Sequence, residues 1–290
     1  DALGSFPPGY IYVARDVEEW GWPVFLFPYL EESSRHEILN VNDGRLTDAI
    51  RDPQLRRCLQ DQLSIFRCPS DGGGQLLPSK WRKFDDGAAG IAGFEPAISN
   101  YVGVLGLYDL AGNYPNNGVL FGNSGVSTED ILDGTSHTLA IGERDTTSQS
   151  GAWCGNKNPA GNRPDGIYFT VGRVSTPVNG TAAPFQGEEG FSSPHPGGAN
   201  FLMCDGSVCF ISETIDFGSG SMAPRDEGLM DSKDGMEMGM SGMGMEAGGM
   251  GMGGMMPGGD APVFPGNYQT PGEDYKTRIG LFEALGIRDD

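Results

Sequence analysis

FSSPHPGGANFLMCDGSVCFIS, residues 191–212, is the stretch whose reading decides the fold. Asn200 to Cys204 and Ser207 to Ile211 are apolar runs joined by Asp205-Gly206. Asp-Gly between strand formers predicts a β-hairpin closed by a type I′ turn, in which both central residues take positive φ. That register sets Met203 opposite Val208 and Phe201 opposite Phe210 on one side, with Leu202, Cys204 and Cys209 on the other. Neither side reads as polar, so the hairpin is expected in the middle of a core. Upstream, Pro194-His195-Pro196-Gly197-Gly198 is stiff and then permissive, and fixes how the chain approaches the hairpin. The expected role of His195 is to hydrogen-bond backbone in this loop and hold the hairpin against the domain. Asp205 and Gly206 are expected to shape the turn.

Working outward, Leu63–Cys68, Ile98–Leu107, Gly118–Phe121 and Thr138–Gly142 read as further strands. Short helices are expected near residues 24 to 39, kinked or restarted at Pro28, and over 53 to 62, where Pro53 suits a first turn. Ser127-Thr128-Glu129-Asp130 has the pattern of a helix cap. The 290 residues include 47 Gly and 20 Pro, which favours turns and short strands over long helices. The fold class expected is α+β, mostly antiparallel β, with the domain running over residues 1–218.

Composition narrows the function. The net charge is −20, from 19 basic and 39 acidic residues, so the surface repels nucleic acid and anionic lipid. Such a surface suits a calcium-rich or extracellular setting, and Ca2+ is one ion it would attract. No apolar run reaches the length of a membrane-spanning helix. Residues 219–262 form a Met/Gly-rich insertion, and residues 263–290 return to ordinary composition as a closing segment of the domain. Eleven of the twelve methionines lie between Met222 and Met256. Among them Met236, Met238, Met240, Met243, Met245, Met250 and Met252 are candidate ligands for Cu(I), which soft thioethers prefer. The same stretch is also read as a low-complexity loop with no core of its own.

Five cysteines, Cys58, Cys68, Cys154, Cys204 and Cys209, leave at least one unpaired within a monomer. Cys58 and Cys68 are a possible disulfide closing a small loop; the hairpin pair Cys204 and Cys209, diagonal on one face, reads equally well as a disulfide or as buried apolar thiols. No CxxC, HExxH or GxSxG pattern occurs. Ser192 or Ser193 with His195 and Asp205 supplies the residue types of a hydrolase triad, but the serines and the histidine crowd one loop and Asp205 is accounted for by its turn. Glu143 and Asp145 are read as a charged strand end compensated by Arg144, rather than as paired catalytic carboxylates. The Gly72-Gly73-Gly74 loop lacks the Lys-Ser/Thr ending of a phosphate loop. Asn179-Gly180-Thr181 matches a glycosylation acceptor. Trp20, Trp22, Phe25 and Phe27 form an aromatic cluster, read as core or as packing against a further helix. No catalytic residue is assigned, and no enzymatic activity is expected.

The stretches GSFPPGY at 4–10, FPYLE at 27–31, FRCPSD at 66–71, SNYVG at 99–103, NGVLF at 117–121, ILDGTSHTL at 131–139 and FEALG at 282–286 occur in that order, with His195, nine residues and Asp205-Gly206 between the last two. As an ordered set they resemble a large bacterial family of prepilin-like proteins that carries an H-x9-DG signature. The resemblance implies a type IV pilin-like or pseudopilin head, built as an antiparallel sheet that packs on a long N-terminal apolar helix. It also implies that this helix would end just before Asp1. Implied with it are a structural role in an extracellular or envelope filament, and partners that are copies of the chain or related pilin-like subunits. A second reading, from another class, is a surface module that captures glycan or metal. Exposed aromatic rings beside acidic groups would favour that module, and buried rings would favour assembly.

Overall fold

The computed structural model describes residues 4–14, 17–78, 84, 93–107, 116–157, 165–180 and 189–216. The Met-rich candidate ligands and the closing segment lie outside these residues. The fold is α+β with mostly antiparallel sheets, as expected from the turn-rich composition.

The N-terminal third is helical in short pieces. These are α1 (Trp22–Phe25), a 3-10 turn at Phe27–Tyr29, α2 (Ser33–Ile38), α3 (Leu46–Arg51) and α4 (Pro53–Cys58). Pro28 restarts the chain as a 3-10 turn, and Glu31 at φ 61° breaks it again before α2. Asp52 caps α4 by accepting the N–H groups of Gln54 and Leu55 at 2.7 and 3.2 Å. The expected strand at Leu63–Cys68 is instead a 3-10 turn at Ser64–Phe66. Phe66 there is buried against Trp22 and Phe27, so burial of one aromatic ring, not alternation, shaped this sequence.

Nine strands follow the chain: β1 (Glu18–Trp20), β2 (Ile98–Ser99), β3 (Tyr101–Gly106), β4 (Leu139–Glu143), β5 (Gly151–Ala152), β6 (Gly155–Lys157), β7 (Val171–Arg173), β8 (Gly198–Met203) and β9 (Val208–Ser212) among the described residues. The main sheet has the order β7-β3-β4-β8-β9, with β3 and β7 parallel and the other neighbours antiparallel. Two small antiparallel pairs, β1 with β6 and β2 with β5, stand beside it. Gly118–Phe121 runs along β3 through two backbone bonds, Gly118 to Leu105 and Leu120 to Val104, but does not form the expected strand. Ser127 and Asp130 make the expected capping box, on a 3-10 turn at Thr128–Asp130.

The hairpin forms, but in another register. Leu202 pairs with Val208 and Phe201 with Cys209. The turn is a three-residue loop: Gly206 N–H donates to Met203 O, and Met203 N–H donates to Ser207 O. Only Gly206 has positive φ there, at 87°, while Asp205 does not. This is a type I turn followed by a glycine bulge, not type I′. The extra loop residue slips the pairing by one and exchanges the faces. Phe201, Ala199, Met203 and Ile211 are buried, while Val208 and Phe210 are exposed. The hairpin therefore lies at one end of the sheet with β9 outermost, not in mid-core.

The largest core cluster joins Trp20, Trp22, Val24, Phe27, Leu46, Ile50 and Phe66 to Ile98, Trp153 and Phe169. The aromatic cluster read from the sequence is thus mostly core: Trp20, Trp22 and Phe27 are each no more than 2% exposed, with Phe25 partly buried against them.

Candidate functional site

Three loops meet at the end of β4. Cys68 follows the 3-10 turn at Ser64–Phe66, and its N–H donates to Asn100 Oδ1 at 3.1 Å. Asn100, between β2 and β3, also donates through Nδ2 to Asp71 Oδ2 at 2.5 Å and to Arg144 O at 3.1 Å. Asp71 in turn accepts Gly73 N–H at 3.0 Å, Thr146 N–H at 2.9 Å and Thr146 Oγ1 at 2.7 Å. Burial pushes the Asp71 carboxyl up, but hydrogen bonds from Thr146, Gly73 and Asn100 outweigh it and hold it below the usual carboxylate range. The loop bearing Cys68 is thereby fastened to the residues that follow β4.

The third loop, residues 191–197, is fastened to the same strand end. Ser192 N–H donates to Glu143 O, and Ser192 Oγ donates to Asp145 Oδ1 at 2.9 Å. Asp145 also accepts Ser148 N–H and the Thr147 hydroxyl. Glu143 is buried, and its Oε2 accepts Asn200 N–H at 2.7 Å and Asn200 Nδ2 at 3.1 Å. Its other oxygen, Oε1, lies 3.4 Å from His195 Nε2. The same Nε2 lies 3.5 Å from Cys68 Sγ. The donor atoms of Cys68, Glu143 and His195 all fall within 4.8 Å of one another. Tyr101 stands directly opposite Glu143 across β3 and β4, on the same face. Burial pushes its phenol up, and the negative charges of Cys68 and Glu143 push the same way.

A family model described as "Protein of unknown function (DUF1559)" matches residues 1–218. The chain belongs to this family. No curated protein and no solved structure matches it. All the loops just described fall inside the DUF1559 match.

The sequence-derived candidates separate in the DUF1559 domain. His195 does not spend its ring on the backbone of its own loop; the ring faces Glu143 and Cys68. Asp205 is at the far turn, where its Oδ1 accepts the Ser207 N–H and hydroxyl. Those bonds with Ser207 hold its carboxyl below the usual range. Ser192 bonds Asp145, and the Ser193 hydroxyl donates to Gly198 O at 2.8 Å. No Ser-His-Asp arrangement is assembled from these residues. Cys58 and Cys68 do not pair: all five cysteines are free. Cys58 lies against Arg35 Nη1 at 3.0 Å, while Cys68 is drawn to His195. Burial pushes the thiols of Cys154 and Cys204 up to about 12, with the Asp205 charge adding to the second, so neither is a nucleophile near neutral pH. Asn179 is held on both sides of its amide, Nδ2 donating to Glu213 and Oδ1 accepting Ser193 N–H, which does not suit a free glycan acceptor.

Arg144 is the largest departure from the sequence reading. It is fully buried rather than a solvated partner of Glu143 and Asp145. Its guanidinium donates to Gly190 O at 2.8 Å, Tyr168 O at 2.6 Å and Val171 O at 3.1 Å. Sequence reasoning missed Glu143 and Cys68 as partners of His195. One signal was present: Cys68 and His195 both lie in stretches that carry the family resemblance.

Proposed function

We propose that the chain is a structural subunit of an extracellular or envelope filament of the type IV pilus or pseudopilus kind. In this reading the DUF1559 head packs on the outside, and an N-terminal apolar helix joins copies of the chain or related pilin-like subunits. The observation that carries the reading is the outer strand β9. It pairs with β8 alone among the described residues and exposes Val208 and Phe210 by 68% and 52%. These two side chains share one face of the strand, beside a row of backbone groups, and such an edge is a template for a neighbouring chain. The alternative, glycan capture on the aromatic cluster, needs exposed rings, and Trp20, Trp22 and Phe27 are core residues.

Electron microscopy of filaments from the native source, with labelling by antibody to the head, tests the reading directly. Regular labelling along a fibre is the expected outcome. A second arm replaces Val208 and Phe210 by Asp. Exposed positions tolerate this, so the head keeps its far-UV spectrum while lateral association falls. Filaments that lack the chain would overturn the proposal.

A further inference from the structure

We infer that Cys68, Glu143 and His195 form a binding site for a divalent transition-metal ion of the zinc class, which clamps two loops of the DUF1559 domain to the end of β4. The ligand types are those zinc takes: a thiolate, a carboxylate and an imidazole. Tetrahedral zinc, with bonds of about 2.0–2.1 Å to nitrogen, about 2.0–2.2 Å to oxygen and about 2.3 Å to sulfur, sets a nitrogen about 3.5 Å from a sulfur and about 3.3 Å from an oxygen. His195 Nε2 stands 3.5 Å from Cys68 Sγ and 3.4 Å from Glu143 Oε1. These two distances match two edges of such a tetrahedron, and the third pair, Cys68 and Glu143, lies within 4.8 Å.

The surroundings are built for it. Asn200 occupies Glu143 Oε2 with two donors and leaves Oε1 turned to the cluster, which is how an outer partner orients a metal-binding carboxylate. Asn100 fixes the backbone of Cys68 in the same way. The Glu143 side chain is 5% exposed and that of His195 is 27% exposed, so the ion has one route in past the imidazole. When bound to a metal, a thiolate and a carboxylate bring two negative charges, which a divalent cation balances. Neither of two cavities, of about 210 and 430 Å³, is lined by these three residues. The ligands come from Cys68, from the end of β4 and from the 191–197 loop, so the ion fastens these segments to one another, with water completing the coordination.

Cobalt(II) is the probe, because it takes the same ligands, reports on thiolate ligation through a near-ultraviolet charge-transfer band, and has little affinity for thioethers such as those of the Met-rich stretch. The full chain, purified without chelator, is titrated with Co2+ and then with Zn2+ in competition. One equivalent of Co2+ with the thiolate band, displaced by Zn2+, is expected. Cys68→Ser abolishes the band, and Glu143→Gln and His195→Asn weaken binding at least 100-fold. Asn200→Ala, which removes one of the two bonds to Oε2, weakens it about 10–100-fold. Cys204→Ser leaves it unchanged. Far-UV spectra confirm that each variant is folded, and Zn2+ raises the melting temperature of the wild type and of Cys204→Ser but not of Cys68→Ser. No stoichiometric binding by folded wild-type protein overturns the inference, as does a band that survives in Cys68→Ser. Both results are independent of whether the chain forms filaments.

Discussion

Arg144 and Asp71 show how single polar residues hold this domain. Arg144 satisfies the carbonyls of Gly190, Tyr168 and Val171 in a region closed to water. Losing the guanidinium strands those acceptors, at about 1–3 kcal/mol each. Arg144→Met is therefore expected to lower stability by several kcal/mol, and Arg144→Lys by nearly as much, because an ammonium cannot span three planar directions. Urea unfolding followed by tryptophan fluorescence reads this; a shift under about 1 kcal/mol for the Met variant would contradict the role given to Arg144. Asp71 gives a pH signature. Its carboxyl is held low in the folded state, so the unfolded chain takes up its proton first as pH falls. The stabilisation is complete above the ordinary value of about 3.9 and is lost as pH drops through the lower, folded value. The unfolding midpoint of the wild type should fall steeply below about pH 4, and that of Asp71→Asn should be lower at neutral pH and flatter across the same interval.

At the scale of elements, the β8–β9 hairpin was legible and its register was not. Asp205-Gly206 marks a turn in either geometry; a type I turn with a bulge and a type I′ turn differ by one loop residue, which tertiary contacts choose. Here Cys204 N–H donates to Thr138 O and Asp205 N–H to Thr135 O, so the segment before β4 sets the loop. Gly206 stands at φ 87° with open space around it, so Gly206→Ala costs about 1–2 kcal/mol from backbone strain alone. Gly206→Asn is expected to recover much of that loss, since Asn visits this region. Equal melting temperatures for the two variants would argue against the turn assigned here. Gly142 on β4 works by closeness instead. An added Cβ would meet Phe191 at 2.4 Å and Phe201 at 2.5 Å, the pair of rings that seats β8 on the sheet. The helices show the same limit of sequence reading. Pro28 and Pro53 marked boundaries correctly, whereas α3 passed unnoticed because Leu46, Ala49 and Ile50 are too few apolar positions to give a period.

For the whole molecule, the α+β class was readable along the chain, while the site was not. Cys68, Glu143 and His195 meet only because β4 pairs with both β3 and β8, and no local pattern announces such a meeting. Charge acts at this scale too. At −20 copies of the chain repel one another, so the proposed assembly through β9 should strengthen as salt screens the charge, the reverse of attraction between opposite charges. Light scattering from 50 to 500 mM NaCl reads the sign. The Met-rich stretch permits the last prediction. The main core cluster and the five-stranded sheet are drawn together by residues from Trp20 to Ile211. Gly-spaced methionines add no apolar period that this core needs. Deleting Met222–Met256 should therefore leave one cooperative unfolding transition, within a few degrees of the full chain, with Co2+ binding at Cys68 retained. If that stretch also takes up Cu(I), the deletion removes it, and Met→Leu replacement does the same without shortening the chain. Collapse of cooperative melting in the deletion would mean that the stretch completes the core, and would reverse this assignment.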